Sequence, residues 1–323
     1  MRVTYRCPVS DAPTLPATER RDPDARDRRV VVVAVAIGVA VLSFAGVFVL
    51  WRVFVDTLAG QQVENAAFQG ALYGQTQLWR VAERVLDVVS VGFMAVVLVA
   101  AMVIAALRRR WSLAIQVAVL MIGANLTTQL LKNFVLYRPD LGVEADYGNT
   151  LPSGHTTAAA SVSAALLLVV PPRVRPWAAV LGAGYTTATG VSTLIGQWHR
   201  PSDVVAAVLV VLAWTAIACA MVALTPAWPS TATGALRLAG DPPPTPATMR
   251  GVVAGLVVVG AGAGAAAVVA LSHTWQNLAD LDARAEKFTA YFGGAAGVLM
   301  ASCLAFAIML VLRQAAASRL PRG

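Results

Sequence analysis

Charge is scarce in this chain of 323 residues: Asp, Glu, Lys and Arg together make up 13%, against 58% hydrophobic residues. Soluble domains carry about a quarter charged residues, so an ordinary water-soluble enzyme is excluded. Lysine occurs only at Lys132 and Lys287, and histidine only at His155, His199 and His273. Cysteine is confined to Cys7, Cys219 and Cys303, without metal-type spacing and with the last two inside apolar runs. That pattern argues against both a structural disulfide and a thiolate metal site, and no cofactor is implied. No internal repeat is visible.

In place of charge there are long apolar runs. Uncharged stretches near the ~20 residues needed to cross a bilayer occur at Val30–Leu50, Val88–Leu107, Ser112–Leu131, Thr156–Val170, Trp177–Ile195, Val204–Thr225, Gly251–Leu271 and Tyr291–Leu312. These eight candidate spans predict an all-α integral membrane protein. The first reads as an uncleaved anchor, because its apolar run exceeds the ~7–15 residues of a signal-peptide core. Residues 1–29 mix Pro, Asp and Arg without apolar periodicity and read as a disordered cytoplasmic leader. Arg52–Asp87 is an external loop with enough apolar residues for a surface helix. Residues 30–225 form a six-span unit, 226–250 a Pro-rich cytoplasmic linker, and 251–323 a two-span extension.

The net charge of +8 does not imply nucleic acid. With a cytoplasmic N-terminus, 17 of the 25 basic residues fall on the inner side: seven in the leader, Arg108–Arg110, Arg173, Arg175, Arg237, Arg250, Arg313, Arg319 and Arg322. The positive-inside rule accounts for that excess. Both termini then lie inside, and three short polar islands all fall on the outer face.

The first island runs from Lys132 to Arg138-Pro139. Lys offers a point charge and Arg a fork matched to phosphate oxygens, on the face where topology disfavours cations; snorkelling at a helix end is the plainer alternative. The second is Pro152-Ser153-Gly154-His155. A helix starting there presents unpaired N–H groups to an anion, and Gly154 removes the side chain that would block its approach. An ordinary Ser-capped helix with an interfacial His explains the same four residues. The third is His199-Arg200-Pro201-Ser202-Asp203, where a carboxylate four residues on can fix the imidazole tautomer and leave the other nitrogen free to attack. A capping contact on the sixth helix is the alternative there. His273 and Trp275 read as interfacial residues. Asn125 and Gln129 read as interhelical contacts, and Asp140, Glu144 and Asp146 as a solvated loop.

Taken in order, the islands resemble the type-2 phosphatidic acid phosphatase superfamily, to which the vanadium haloperoxidases are related. Pro152 to His155 matches the second family block fully, and Ser192, His199 and Asp203 match the third. The resemblance covers about Val88 to Thr225. Two departures stand out: five residues rather than six separate Lys132 from Arg138, and Thr193 stands where the family has an Arg that binds phosphate. Arg200 is a nearby cation, but it sits beside the histidine rather than one and a half turns before it.

The resemblance implies that His199 attacks phosphorus, Asp203 orients its ring, and His155 protonates the leaving oxygen and then activates water. Lys132, Arg138, Ser153 and Gly154 would hold the phosphoryl oxygens, with no metal. A lipid phosphate or diphosphate would be hydrolysed at the extracytoplasmic face: a polyprenyl diphosphate, phosphatidic acid or phosphatidylglycerol phosphate. The Ala, Val and Arg bias points to a GC-rich bacterial genome and so to a plasma membrane. Two other readings stay open: a non-catalytic phospholipid-binding or transport protein that kept the anion pocket, and haloperoxidase chemistry, whose known enzymes are soluble. The bilayer and a lipid are the expected partners, nucleic acid is not, and oligomeric state is left open.

Overall fold

A computed structural model describes residues 23–73, 75, 80, 82–84, 99, 111–143, 148–224 and 245–317. The predicted span at 88–107 lies outside these residues apart from position 99. So do Glu144, Asp146, residues 1–22 and most of the 226–250 linker. The described elements are helices. α1 (Pro23–Leu50) begins before the apolar run that opens at Val30, and it closes in a π-helical turn, Trp51–Val55. α2 (Leu58–Gly70) falls in the 52–87 segment read above as a loop with a surface helix, but seven of its residues are buried; it is capped by Thr57, whose hydroxyl accepts from Gly60 N.

α3 (Trp111–Leu130) also ends in a π-helical turn, Leu131–Val135, which carries Lys132. After the longer segment 136–153 come α4 (Gly154–Val169), α5 (Arg175–Ile195) and α6 (Pro201–Leu224), joined to one another by short connections. α7 (Pro246–Gln276) and α8 (Arg284–Ala317) complete the chain. Among the described residues, the helices at Asp27–Val55, Ser112–Val135, Arg175–Ile195, Pro201–Leu224, Pro246–Gln276 and Arg284–Ala316 are long and apolar enough to cross a membrane. The chain is an all-α, multi-pass membrane protein. α4, at 16 residues, rises only ~24 Å against a hydrocarbon core of ~30 Å.

α6 lies at the centre. Val204, Ala206, Val208, Val210, Ala213 and Ala216 are fully buried, and α1, α3, α4 and α8 pack around it. A helix apolar on every side belongs in such a position. Lipid gives no hydrophobic drive for helix association, so close packing of small residues must hold the bundle. A Cβ on Gly123 would fall 2.5 Å from the Trp214 ring, and one on Gly182 2.4 Å from Phe306. Phe306 belongs to α8. The sequence set α7 and α8 apart as a pair, but α8 packs against α2, α5 and α6, while α7 is seated chiefly on α8.

The ends of the bundle differ. At one, Arg313 donates from Nε and Nη2 to Leu168 O and Arg175 donates from Nη1 to Gln314 Oε1. These cations sit against the C-terminal turn of α4, where the helix dipole favours them. The opposite end gathers the polar islands, α2 and the α7–α8 connection.

Candidate active site

The three islands meet at that end because each sits at a helix terminus. Ser153 caps α4: its hydroxyl accepts from Thr156 N at 3.3 Å, while its own N–H donates to Asp203 O at 2.9 Å. That second bond ties the second island to the third across 50 residues of sequence. Thr157 adds two contacts within the same turn region, donating to Ser153 O at 2.8 Å and sharing a 2.9 Å hydroxyl pair with Thr128 of α3.

His199 Nδ1 lies 3.2 Å from Asp203 Oδ2, and both side chains are almost wholly buried. The same oxygen accepts from Thr150 Oγ1 at 2.6 Å and from Arg200 N at 2.9 Å. Asp203 is therefore held by three donors, and a carboxylate facing Nδ1 selects the tautomer with the proton there, leaving the Nε2 lone pair free. The His155 ring stands 6.3 Å from that of His199, centroid to centroid, and 5.3 Å from Trp198. Unlike His199, His155 is exposed.

Burial first, and then the charges of His199 and Lys132, lower the pKa of His155. Asn149 ties the first island down: its Nδ2 donates to Lys132 O, Leu136 O and Leu151 O. Arg138 is half-buried, with its Nη2 buried and without a partner among the described residues. Burial, and then the charge of Arg200, lower its pKa. A Cβ built on Gly154 would meet only Gln129 Nε2, at 3.9 Å. The space where a side chain would stand at Gly154 is therefore open.

Hydrogen bonds and ring contacts thus bring Ser153, His155, His199 and Asp203 together at this end of the bundle. Several others there were not anticipated. Glu64 of α2 is 2% exposed; its Oε1 accepts from Ser202 N at 2.9 Å, in the first turn of α6. Burial, followed by the nearby charge of Asp203, raises its pKa to about 7. Gln61, one turn earlier, donates to Val55 O and Pro139 O, joining α2 to the first island. Thr150 and Phe68 also line the cluster. Nothing in the sequence connects residues 61–68 to position 200. The sole hint was a polar Gln-Gln-Val-Glu-Asn run in a segment otherwise fit for a surface helix.

Thr193 is fully buried, and its hydroxyl donates to Gly190 O at 2.7 Å, within its own helix. It offers the site no charge. His273 in the last turn of α7 pairs with Glu286 in the first turn of α8 at 3.1 Å, Trp275 stacks edge-on with Phe54 at 5.8 Å, and Asn125 donates to Met121 O in its own helix. None of these three contacts involves a catalytic residue. Among the described residues, no group of three or more His, Cys, Asp or Glu could hold a metal ion.

Residues 113–227 match the family model described as PAP2 superfamily. The match spans α3 through α6 and all three islands, and supports the type-2 phosphatidic acid phosphatase superfamily expected from the motifs. Members of that family are phosphatases, which supports phosphoester hydrolysis as the class of reaction. Comparison with curated proteins and with solved structures gives no match.

Proposed function

We propose that this membrane protein, whose residues 113–227 belong to the PAP2 superfamily, hydrolyses a lipid phosphate or diphosphate through a phosphohistidine. The observation that carries the reading is the pairing of His199 with Asp203 at 3.2 Å beside the exposed His155. His199 Nε2 attacks phosphorus, and the P–O bond to the leaving group breaks as the P–N bond forms. His155, protonated, gives its proton to the departing oxygen. The now neutral His155 then takes a proton from water, whose oxygen attacks the phosphohistidine; the P–N bond breaks and inorganic phosphate is released, the alcohol or lipid monophosphate having left in the first step. Lys132, Arg138, the Ser153 hydroxyl and the Gly154 amide hold the charge on the equatorial oxygens, where phosphoryl transfer needs it held. No metal ion enters the scheme.

The substrate's tail stays in the bilayer and its head group enters at the bundle end. Polyprenyl diphosphates, phosphatidic acid and phosphatidylglycerol phosphate all fit. The excess of Arg on the other side supports an extracytoplasmic site, cytoplasmic termini and a plasma-membrane location. The test is phosphate release from a panel of these lipids by the purified protein, with His199→Ala as control. Release by wild type alone is expected; equal release by both would refute the mechanism. Thr193, which brings no charge to the site, favours a second reading: a lipid-phosphate binding or transport protein without turnover. Tight lipid binding with no release from any member of the panel would select it.

A further inference from the structure

Arg200 is the largest of the wholly buried side chains, 1% exposed. Among the described residues only one of its guanidinium nitrogens is satisfied: Nη1 donates to Thr150 Oγ1 at 3.3 Å, while Nε and Nη2 find no acceptor there. Burying donors without partners is costly, and arginine cannot escape by losing its proton. Neighbouring carboxylates do not resolve this. Asp203 spends its oxygen on His199, Thr150 and the Arg200 backbone N–H, and Glu64 takes the Ser202 amide, leaving its second oxygen also unpartnered.

The guanidinium is nevertheless held in place. Phe68 of α2 lies under it, ring centroid 5.4 Å from Cζ, and Thr150 fixes one edge. The charges of Arg138 and Arg200 oppose each other, and Arg138 Nη2 is likewise buried and without a partner among the described residues. Two cations from different elements, with donors unused on both, are arranged for a shared anion.

We propose that Arg200, acting with Arg138, is a phosphate-binding residue of this site, each guanidinium donating to oxygens of the phosphoryl group that His199 attacks. The inference rests on the site being a phosphoryl-transfer centre and adds a ligand contributed by the residue next to the nucleophile. α2, which lies outside the family-matched segment, is then part of the anion site: it supplies the ring that seats Arg200 and the carboxyl that stands behind it.

The test uses the full chain in detergent, with orthovanadate as the phosphate probe and calorimetric binding alongside lipid phosphate turnover. Arg200→Lys keeps the charge but loses the fork. It is expected to weaken vanadate binding and raise KM by about ten-fold or more, as one charge-assisted contact is worth, with thermal stability close to wild type. Wild-type vanadate affinity in the variant would overturn the proposal. Because the variant could fail to fold, tungstate bound to the wild-type protein is located structurally as well. It is expected within hydrogen-bonding distance of both Arg200 Nη2 and Arg138 Nη2, and tungstate held without Arg200 overturns the idea. Arg200-dependent vanadate binding with no turnover of any lipid would sink the catalytic reading and leave this one standing. The reverse pattern would do the opposite.

Discussion

Replacing Asp203 by Asn isolates the electrostatic part of catalysis. In the proposed mechanism His199 becomes positively charged as it bonds to phosphorus, and Asp203 Oδ2 lies 3.2 Å from its Nδ1. With an effective dielectric constant of ~20, a charge pair at that distance is worth about 5 kcal/mol. The Asn amide oxygen keeps the hydrogen bond and part of the dipole, so the loss is roughly 3–4 kcal/mol, or about 10²–10³-fold in kcat. KM should move little, because the carboxylate faces the imidazole rather than the substrate. Single-turnover phosphate release, measured beside thermal unfolding in the same detergent, separates a rate effect from a folding one. A stable Asp203→Asn protein with kcat within about ten-fold of wild type would refute the assignment of Asp203 as the group that stabilises a charged His199.

The two histidines should differ on acid quenching with phosphorus-labelled lipid: His155→Ala retains label on the protein, His199→Ala carries none, and label on His199→Ala would reassign the nucleophile. Glu64, raised to about 7 from the ~4.5 of an unfolded chain, holds its proton longer when folded. Between those values the folded state binds more protons, so stability falls as pH rises and levels off above about 7, by on the order of 3 kcal/mol. Glu64→Gln, permanently neutral, should flatten that part of the unfolding curve, and an unchanged slope would show that Glu64 is ionised throughout. Thr193→Arg is expected to leave vanadate affinity unimproved, since Arg200 already serves the anion; a gain would show that the pocket lacks a ligand. Gly294→Leu drives a side chain from α8 into Pro201, which a Cβ alone would approach to 2.4 Å. It should cost about 1–3 kcal/mol of stability and lower activity, and a neutral outcome would mean that α8 does not brace the start of α6.

Long apolar runs made the helices legible, since membrane spans are specified by composition and length rather than by fine pattern. The islands were legible because a charged or polar cluster in such a chain is costly and needs a reason. Their meeting followed from topology: alternating spans return each connection to one of two faces. Glu64, Gln61 and Phe68 were not legible, because a surface helix between spans has no fixed direction until it packs. α8 escaped for a similar reason. A run of Ala, Gly and Leu reads alike whether it faces lipid or the Gly182 side of α5, and small-residue packing leaves little trace in hydropathy.

The charge balance at the site explains why an acidic residue from α2 belongs there. Lys132, Arg138 and Arg200 bring three positive charges, and Asp203 offsets one while committed to His199. With Glu64 neutral, a surplus of two remains, matched to a phosphate dianion. Ionising Glu64 would reduce that surplus to one and bring a second carboxylate close to Asp203, which is itself a cause of Glu64's raised pKa. Arrival of an anion between the two arginines adds a further negative charge to the same neighbourhood and must favour the protonated carboxyl more strongly. Anion binding near neutral pH should therefore take up a proton in the wild type and not in Glu64→Gln, a difference that calorimetry in two buffers of unlike ionisation enthalpy detects directly. Equal proton uptake by both proteins would place the titrating group elsewhere, with His155 next in line at the mouth of the site.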